Sequence, residues 1–155
     1  MKKLIGFSLI CVMFIFGSCV TTEMLQGMLI VFDESVPLER SATIAFYSGV
    51  EVTEYNGIPV PHKKSFGNTK SEWKYVAIPA GVANFTVDVL HASGNTIWKG
   101  SNFIFRYNFR PGLEYVILVA YKEREWGVDI YQQSVPSFGT PDRENLLDFV
   151  LFINQ

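Results

Sequence analysis

The chain has 155 residues, of which 48% are hydrophobic and 18% charged, and its formal net charge at pH 7 is −2. A chain of this length accommodates one domain with a substantial buried core. The nearly balanced charge, with no Lys/Arg run or basic stripe, argues against nucleic acid as a partner. No internal repeat and no low-complexity segment divides the chain, so we expect a single folded unit.

The first 18 residues have the pattern of an export signal. Lys2 and Lys3 form a positive start, and residues 4–16 contain no charged side chain. As a helix, this apolar segment spans roughly 20 Å, which is short of the ~30 Å hydrocarbon core of a bilayer. We therefore predict a cleaved signal peptide over residues 1–18 rather than a transmembrane helix.

Small residues precede a single cysteine at the end of this segment, in the order Phe16, Gly17, Ser18, Cys19. The run resembles the lipobox of bacterial lipoproteins, with Phe16 in place of the usual leucine. The resemblance implies cleavage before Cys19, transfer of diacylglycerol to its sulfur and usually a further acyl chain on the new amino terminus. Two or three acyl chains hold a protein at a membrane where one does not. The alternative is an ordinary secretory signal followed by release.

The distribution of cysteine agrees with lipid modification. Cys11 lies in the segment that would be removed, so Cys19 would be the only cysteine of the mature chain. No internal disulfide could then form, and acylation would account for an unpaired thiol outside the cytoplasm. Residues 19–26 would form a lipid-anchored tether and residues 27–155 the domain. Val20 replaces the acidic residue that retains lipoproteins at the inner membrane, which favours the outer membrane of a bacterial envelope.

The remaining chain has the periodicity of β-strands. Apolar and polar residues alternate in residues 84–89 and 103–109, whereas residues 113–123 are apolar on both faces and predict a central strand. Asn56-Gly57 predicts a two-residue hairpin turn, because both central positions of such a turn need a positive φ. Seven or eight short strands separated by turn residues predict an all-β fold, an antiparallel Greek-key β-sandwich.

One motif resembles a segment of fibronectin type III and related immunoglobulin-like domains. It consists of a hydrophobic residue, Pro-Gly and a tyrosine, here Phe109, Pro111, Gly112 and Tyr115. In those folds the tyrosine hydroxyl bonds to the backbone of the preceding corner, and the resemblance implies this role for Tyr115. Residues 78–89 likewise resemble the turn-and-strand unit of transthyretin-like sandwich domains. Both resemblances support a fold and imply no activity.

Two segments lack the strand pattern. Residues 57–71 contain two prolines, three lysines and no periodicity, and they predict an exposed, mobile loop. The run Thr140-Pro141-Asp142 predicts the start of a short helix near the carboxyl terminus, continuing through residues 142–147. A closing strand is expected after it.

No catalytic or metal-binding pattern is present in the mature chain. His62 lies in the polar loop and His91 ends a strand, and the only mature cysteine is the proposed anchor, so no zinc-type spacing exists. The chain also lacks a glycine-rich phosphate loop. We therefore expect no catalytic residues, no metal, no cofactor and no enzymatic activity.

Three tryptophans lie beside charged residues, at Trp73, Trp98 and Trp126. Amphipathic rings next to charges can form a recognition surface for sugars or peptides, and these residues are the candidate binding surface. The interpretation that we favour is that they close the ends of the sandwich core.

Three functional hypotheses follow. The first is a non-catalytic envelope lipoprotein, attached to a membrane through Cys19, which serves in binding, adhesion or assembly with a protein or glycan partner. The second is a carrier of a small apolar ligand lined by residues 103–109. The third is a glycan-acting enzyme, which would need two carboxylates about 5–9.5 Å apart. No compelling pair of this kind is evident in the sequence.

Overall fold

The computed structural model describes residues 29–47, 49–65, 68–133 and 141–153. The predicted signal peptide, Cys19 and the tether lie outside these ranges. Within them, no helix has the length and apolar character that crossing a bilayer requires.

Strands dominate the described residues, which also contain single-turn 3₁₀ helices at Leu38–Arg40 and Arg143–Asn145. The strands, in chain order, are β1 (Ile30–Val31), β2 (Ser41–Phe46), β3 (Val50–Tyr55), β4 (Ile58–Pro59), β5 (His62–Ser65), β6 (Asn68–Ser71), β7 (Tyr75–Pro79), β8 (Gly81–Ser93), β9 (Thr96–Phe109), β10 (Glu114–Lys122), β11 (Glu125–Gln132) and β12 (Leu146–Leu151).

These strands form two larger sheets and one small hairpin. The first sheet has six strands in the order β1-β7-β2-β10-β11-β12, the second has four in the order β4-β3-β8-β9, and β5 pairs with β6. Two pairings of the six-stranded sheet are parallel, β1 with β7 and β2 with β10, although antiparallel pairing was predicted. The connection between β2 and β10 runs through the other sheet. Parallel strands start at the same end of a sheet, so the chain must cross back to that end between them, and a connection of this length allows it.

One hydrophobic core joins the two larger sheets. Ile44 and Ile117 of the six-stranded sheet and Phe85 and Phe105 of the four-stranded sheet are all 0% exposed and belong to the same cluster. The Phe85 ring centroid lies 5.2 Å from that of Phe46, which belongs to the opposite sheet. Two sheets that share a core in this way form a β-sandwich. The all-β sandwich prediction is confirmed, and its Greek-key connectivity stays a prediction.

The hairpin of β8 and β9 is longer than the core that it helps to build, with strands of 13 and 14 residues. Its register shifts between Val87 and Val89, and Asn102 on the opposite strand has a φ of 61°. A bulge of this kind bends the strand and increases its twist. Beyond it no residue from 90 to 100 is fully buried. The distal half of the hairpin therefore projects past the core.

Tyr115 ties the turn between β9 and β10 to the core. Its side chain is 1% exposed, and its ring centroid lies 5.1 Å from that of Phe109 in an edge-on arrangement. Its hydroxyl accepts a hydrogen bond from the backbone N–H of Arg110 at 2.8 Å. This contact connects β10 to the turn that precedes it, in the way that the fibronectin-like motif implies.

The Tyr115→Phe substitution removes only the hydroxyl of this contact. We expect the free energy of unfolding to fall by about 1–2 kcal/mol, because the Arg110 N–H loses its acceptor while the ring packing is retained. Urea unfolding would measure the change. Tyr121→Phe is the control, since that side chain is 53% exposed. Equal effects of the two substitutions would contradict the role assigned to the Tyr115 hydroxyl.

The described residues between 57 and 71 form short strands instead of the exposed, mobile loop that their composition predicted. Asn56 and Gly57 have φ values of 50° and 78°, and Tyr55 pairs with Ile58, so the predicted hairpin turn is confirmed. β5 and β6 then form an antiparallel pair. The described side chains of β5 are exposed, and backbone pairing forms these strands without the apolar alternation by which buried strands are recognised.

The carboxyl-terminal segment forms less helix than predicted. Its helix is a single 3₁₀ turn capped by Asp142, whose carboxylate accepts a hydrogen bond from the Glu144 N–H at 3.3 Å. Leu146 and Leu147 begin β12 instead of extending this turn. Pairing with β11 prevails because an isolated helix of one or two turns is unstable.

Candidate functional site

Two hairpin tips meet at one end of the sandwich. At the tip of β8 and β9, His91 pairs with Trp98, and at the tip of β10 and β11, Tyr121 pairs with Trp126. The two indole rings stack with centroids 3.8 Å apart and an interplanar angle of 7°. We name the groove of about 400 Å³ between these tips the aromatic cleft. It is lined by His91, Ser93, Thr96, Trp98, Tyr121 and Trp126.

The stacked tryptophans belong to a column of rings that begins in the core. The ring centroid of Phe152 lies 4.8 Å from that of Phe103, and the centroid of Phe103 lies 5.4 Å from that of Trp98, both in stacked arrangements. Aromatic pairs of this kind contribute about 0.5–1.5 kcal/mol beyond the area that they bury. The column therefore holds the two hairpin tips in a defined relative position.

The cleft presents ring edges and polar groups to solvent. The Trp98 ring already stacks with both Phe103 and Trp126, so it is not an open stacking platform. Tyr121 is 53% exposed, and its ring centroid lies 4.8 Å from that of Trp126. His91 contacts the same indole edge-on at 5.3 Å. An imidazole, a phenol and the hydroxyls of Ser93 and Thr96 thus surround an apolar base, a combination suited to binding an extended polar ligand.

Trp73, the third tryptophan of the predicted surface, lies elsewhere. It is 2% exposed and packs in the core, with its ring centroid 5.4 Å from those of Phe32 and Tyr55. Including Trp73 in the binding surface was therefore wrong, and the interpretation that places it in the core is correct for this residue. A charged neighbour in the sequence does not expose a ring, because adjacent residues of an extended chain point to opposite sides.

Comparison with protein-family models, with curated proteins and with solved structures found no match.

The hairpin tip beside Tyr121 has an unusual backbone. Glu123 and Arg124 have φ values of 53° and 72°, and they connect Lys122 to its partner Glu125. Positive φ at both central residues defines a type I′ turn, for which Asn-Gly is the preferred pair. Two non-glycine residues in this region raise the energy of the backbone. The turn between β3 and β4 also has positive φ at both central residues, but it uses the preferred pair Asn56-Gly57.

Replacing Arg124 by glycine should relieve part of this strain. We expect Arg124→Gly to raise the free energy of unfolding by about 1 kcal/mol, because glycine adopts positive φ without steric conflict. Thermal or urea unfolding would measure the gain. Arg106→Gly, within β9, should instead lower the free energy of unfolding, because glycine weakens a strand. A loss of stability in Arg124→Gly would contradict the assignment of strain to this turn.

No catalytic arrangement is evident at the cleft. No carboxylate is among the residues that line it, so His91 has no acidic partner there. Over the described part of the chain, no three His, Cys, Asp or Glu side chains converge closely enough to hold a metal ion. His62 lies in the exposed β5, and its Nδ1 is 2.7 Å from the carbonyl oxygen of Val60.

A separate polar cluster lies on the outer face of the six-stranded sheet. The carboxylate of Asp129, a residue that is 8% exposed, forms an ion pair with Lys122 and accepts a hydrogen bond from the Tyr131 hydroxyl at 3.3 Å. Burial raises the pKa of Tyr131, and the nearby charge of Asp129 adds to the rise. Lys122 also lies 5.1 Å from the ring centroid of Phe149. These contacts join β10, β11 and β12, and we assign the cluster a structural role.

Four residues of the cleft, His91, Ser93, Thr96 and Tyr121, were not predicted to belong to a binding surface. Tyr121 and Trp126 flank Glu123-Arg124 symmetrically, and His91 and Trp98 flank Gly94-Asn95 in the same manner. Symmetric aromatic residues around a short turn indicate a cross-strand pair. This spacing was the available signal for Tyr121 and His91.

Proposed function

We propose that the chain is a bacterial envelope lipoprotein that is held at a membrane by acyl chains on Cys19 and binds a protein or glycan partner, without catalysis, at the aromatic cleft. The observation that carries the binding role is the meeting of two projecting hairpin tips around exposed Tyr121. Loops and tips held on a rigid scaffold are where binding residues concentrate. The strained Glu123-Arg124 turn adds support, since backbone strain clusters at functional positions.

The membrane attachment is supported by the sequence from Phe16 to Cys19. The chain between Cys19 and Leu29 spans at most about 35 Å when fully extended. Acyl chains on Cys19 would therefore keep the sandwich within a short distance of the bilayer. Val20 supports placement at the outer membrane rather than the inner one.

The two other hypotheses receive less support. Phe105 and Phe109, on the face proposed to line a carrier cavity, are 0% and 1% exposed, and both rings contact Phe85. These rings occupy the space that an apolar ligand would need. For a glycan-acting enzyme, Glu51 and Asp88 face each other across β3 and β8. Both carboxylates already accept hydrogen bonds from backbone N–H groups, which does not favour a role as acid or nucleophile.

Removing the proposed lipid attachment site should release the protein from membranes. We expect Cys19→Ala to abolish incorporation of labelled palmitate and to move the protein out of the membrane fraction, because no acyl chain remains to anchor it. Labelling of cells followed by fractionation measures both effects. Cys11→Ala is the matched control, since it removes a cysteine from the segment that would be cleaved. An unchanged membrane fraction in Cys19→Ala would refute the lipoprotein assignment.

Binding at the cleft is tested by photocrosslinking in intact cells. A photoreactive amino acid at position 121 should capture a discrete partner, whereas one at position 82 should not. The control is matched in exposure, since Tyr121 is 53% and Val82 52% exposed. Val82 lies about 30 Å along β8 from His91, at the opposite end of the hairpin. Equal capture at the two positions would contradict a partner at the cleft.

A further inference from the structure

A second groove lies on the outer face of the four-stranded sheet, on the side of β8 and β9 away from the aromatic cleft. It has a volume of about 570 Å³, and its rim carries Lys70, Lys74 and Lys99 together with Glu51 and Asp88. We name it the lysine groove. Its volume is within the range typical of small-molecule sites.

The two carboxylates of this groove are already bound by the protein. Glu51 forms an ion pair with Lys74 at 2.6 Å, and its other oxygen accepts a hydrogen bond from the Ser71 N–H. Asp88 accepts a hydrogen bond from the Asn102 N–H at 3.0 Å. Asn102 presents this N–H from the bulge of β9, where its φ is positive. These donors stabilise two like charges that face each other across neighbouring strands, a pairing that is otherwise unfavourable.

The lysines are in excess over the carboxylates. Lys74 is paired with Glu51, whereas Lys70 and Lys99 are exposed and form no ion pair within the described residues. Two ammonium groups on separate strands therefore flank one groove, and the three lysines against two carboxylates give its rim a net formal charge of +1. This excess stands out in a protein whose formal net charge is −2.

The floor between these charges is apolar. Leu90, 48% exposed, contributes its side chain to the outer face, whereas the side chain of its neighbour Val89 belongs to the core. Gly49 and Gly100 line the groove with backbone atoms, because the Leu90 carbonyl and the Phe103 ring fill the places that their side chains would take. An apolar floor beneath a cationic rim is complementary to a ligand with one anionic group and an apolar part.

We propose that the lysine groove binds a phosphate or carboxylate group that carries an apolar substituent, with Lys70 and Lys99 contacting the anion and Leu90 contacting the substituent. Two sources supply this chemistry, a free amphiphilic anion and the headgroup of an anionic lipid. The proposal is independent of the aromatic cleft and of Cys19, because it depends on residues of β6, β8 and β9 alone.

The test is calorimetric titration of the full chain with octyl phosphate and with inorganic phosphate. The wild type should bind octyl phosphate more tightly than inorganic phosphate, with an affinity that falls as salt is raised. The double substitution Lys70→Gln/Lys99→Gln should weaken octyl phosphate binding about tenfold or more, since it removes two of the three positive charges on the rim. Lys74 is left in place because its loss would unpair Glu51.

The matched control is Arg40→Gln/Arg110→Gln, which removes the same charge from exposed positions that lie near Gly81 at the start of β8 and do not line the groove. It should change the affinity less than about twofold, since distant exposed charges are screened by salt. Equal losses of affinity for octyl phosphate in the two double variants would overturn the proposal. An unchanged affinity in Lys70→Gln/Lys99→Gln would also overturn it. Unfolding midpoints of both variants establish that the fold is retained.

Cosedimentation with vesicles distinguishes the two sources. Vesicles of phosphatidylcholine with and without phosphatidylglycerol are used, and binding is compared between the wild type and Lys70→Gln/Lys99→Gln. Binding to phosphatidylglycerol that requires both lysines assigns the groove to a lipid headgroup. Octyl phosphate binding that requires them, without any vesicle binding, assigns it to a free ligand. Failure of the wild type to bind either probe would overturn the proposal, whatever the outcome of crosslinking at the aromatic cleft.

Discussion

Replacing Phe85 by alanine is expected to lower the free energy of unfolding by about 3–5 kcal/mol, the range observed for large-to-small changes of buried aromatic residues. Phe85 is 0% exposed, and its ring contacts Phe46 of the opposite sheet as well as Tyr55, Phe105 and Phe109 of its own. The substitution removes the apolar surface of the ring and leaves a cavity between the sheets. Domains of this size have a total stability of about 5–15 kcal/mol, so the variant would be marginally folded.

Two controls separate loss of packing from a general effect on β8. Phe85→Leu retains most of the side-chain volume and should lower the free energy of unfolding by less than about 1.5 kcal/mol. Val82→Ala alters an exposed position of the same strand and should change it by less than about 0.5 kcal/mol. Urea unfolding followed by fluorescence measures all three. A Phe85→Ala effect no larger than that of Val82→Ala would show that this ring does not join the sheets.

Replacing Gly49 by alanine should lower the free energy of unfolding by about 2–4 kcal/mol, the sum of a backbone and a packing effect. The φ of Gly49 is +96°, which residues with a side chain rarely adopt. An added Cβ would also lie 2.3 Å from the carbonyl oxygen of Leu90. The two backbones are this close because the Leu90 N–H donates a hydrogen bond to the Gly49 carbonyl, at 2.8 Å. The new methyl group would therefore push β8 away from the turn that precedes β3.

Gly57→Ala is the matched control for this substitution. Gly57 has a φ of +78°, but a Cβ at this position would meet no atom within 4 Å. Its substitution should therefore carry only the backbone effect, about 1–2 kcal/mol. The difference between the two variants measures the contact with Leu90. Equal losses of stability at the two glycines would show that β8 accommodates the additional methyl group.

The core could be predicted from the sequence to a large extent. Alternation around Phe85 and Phe105 identified the buried faces of β8 and β9, and the Pro-Gly motif identified the turn that Tyr115 holds. Such signals are local, since a side chain's face depends on its parity along the strand. β5, β6 and the start of β12 were missed for the same reason. Their strand structure depends on pairing with a neighbour and not on their own periodicity.

The candidate sites could be predicted only in part. Trp98 and Trp126 were proposed as a binding surface because they are amphipathic rings beside charged residues, but the same reasoning wrongly included Trp73. No sequence pattern predicted the lysine groove, because Lys70 and Lys99 come from strands that are distant in sequence. A lysine beside polar residues has the same local pattern whether it borders a groove or faces open solvent.

The sequence by itself therefore determined that this is an all-β chain with an apolar core, and it contains the lipobox-like run ending at Cys19. Only the tertiary structure decided which rings and charges meet. The bulge at Asn102 and the length of β8 and β9 carry Trp98 to Trp126, and the packing of β6 near β8 and β9 brings Lys70 and Lys99 to one groove. Burial follows the alternation of a single strand. A binding surface, by contrast, depends on distances between strands, and no local pattern encodes those distances.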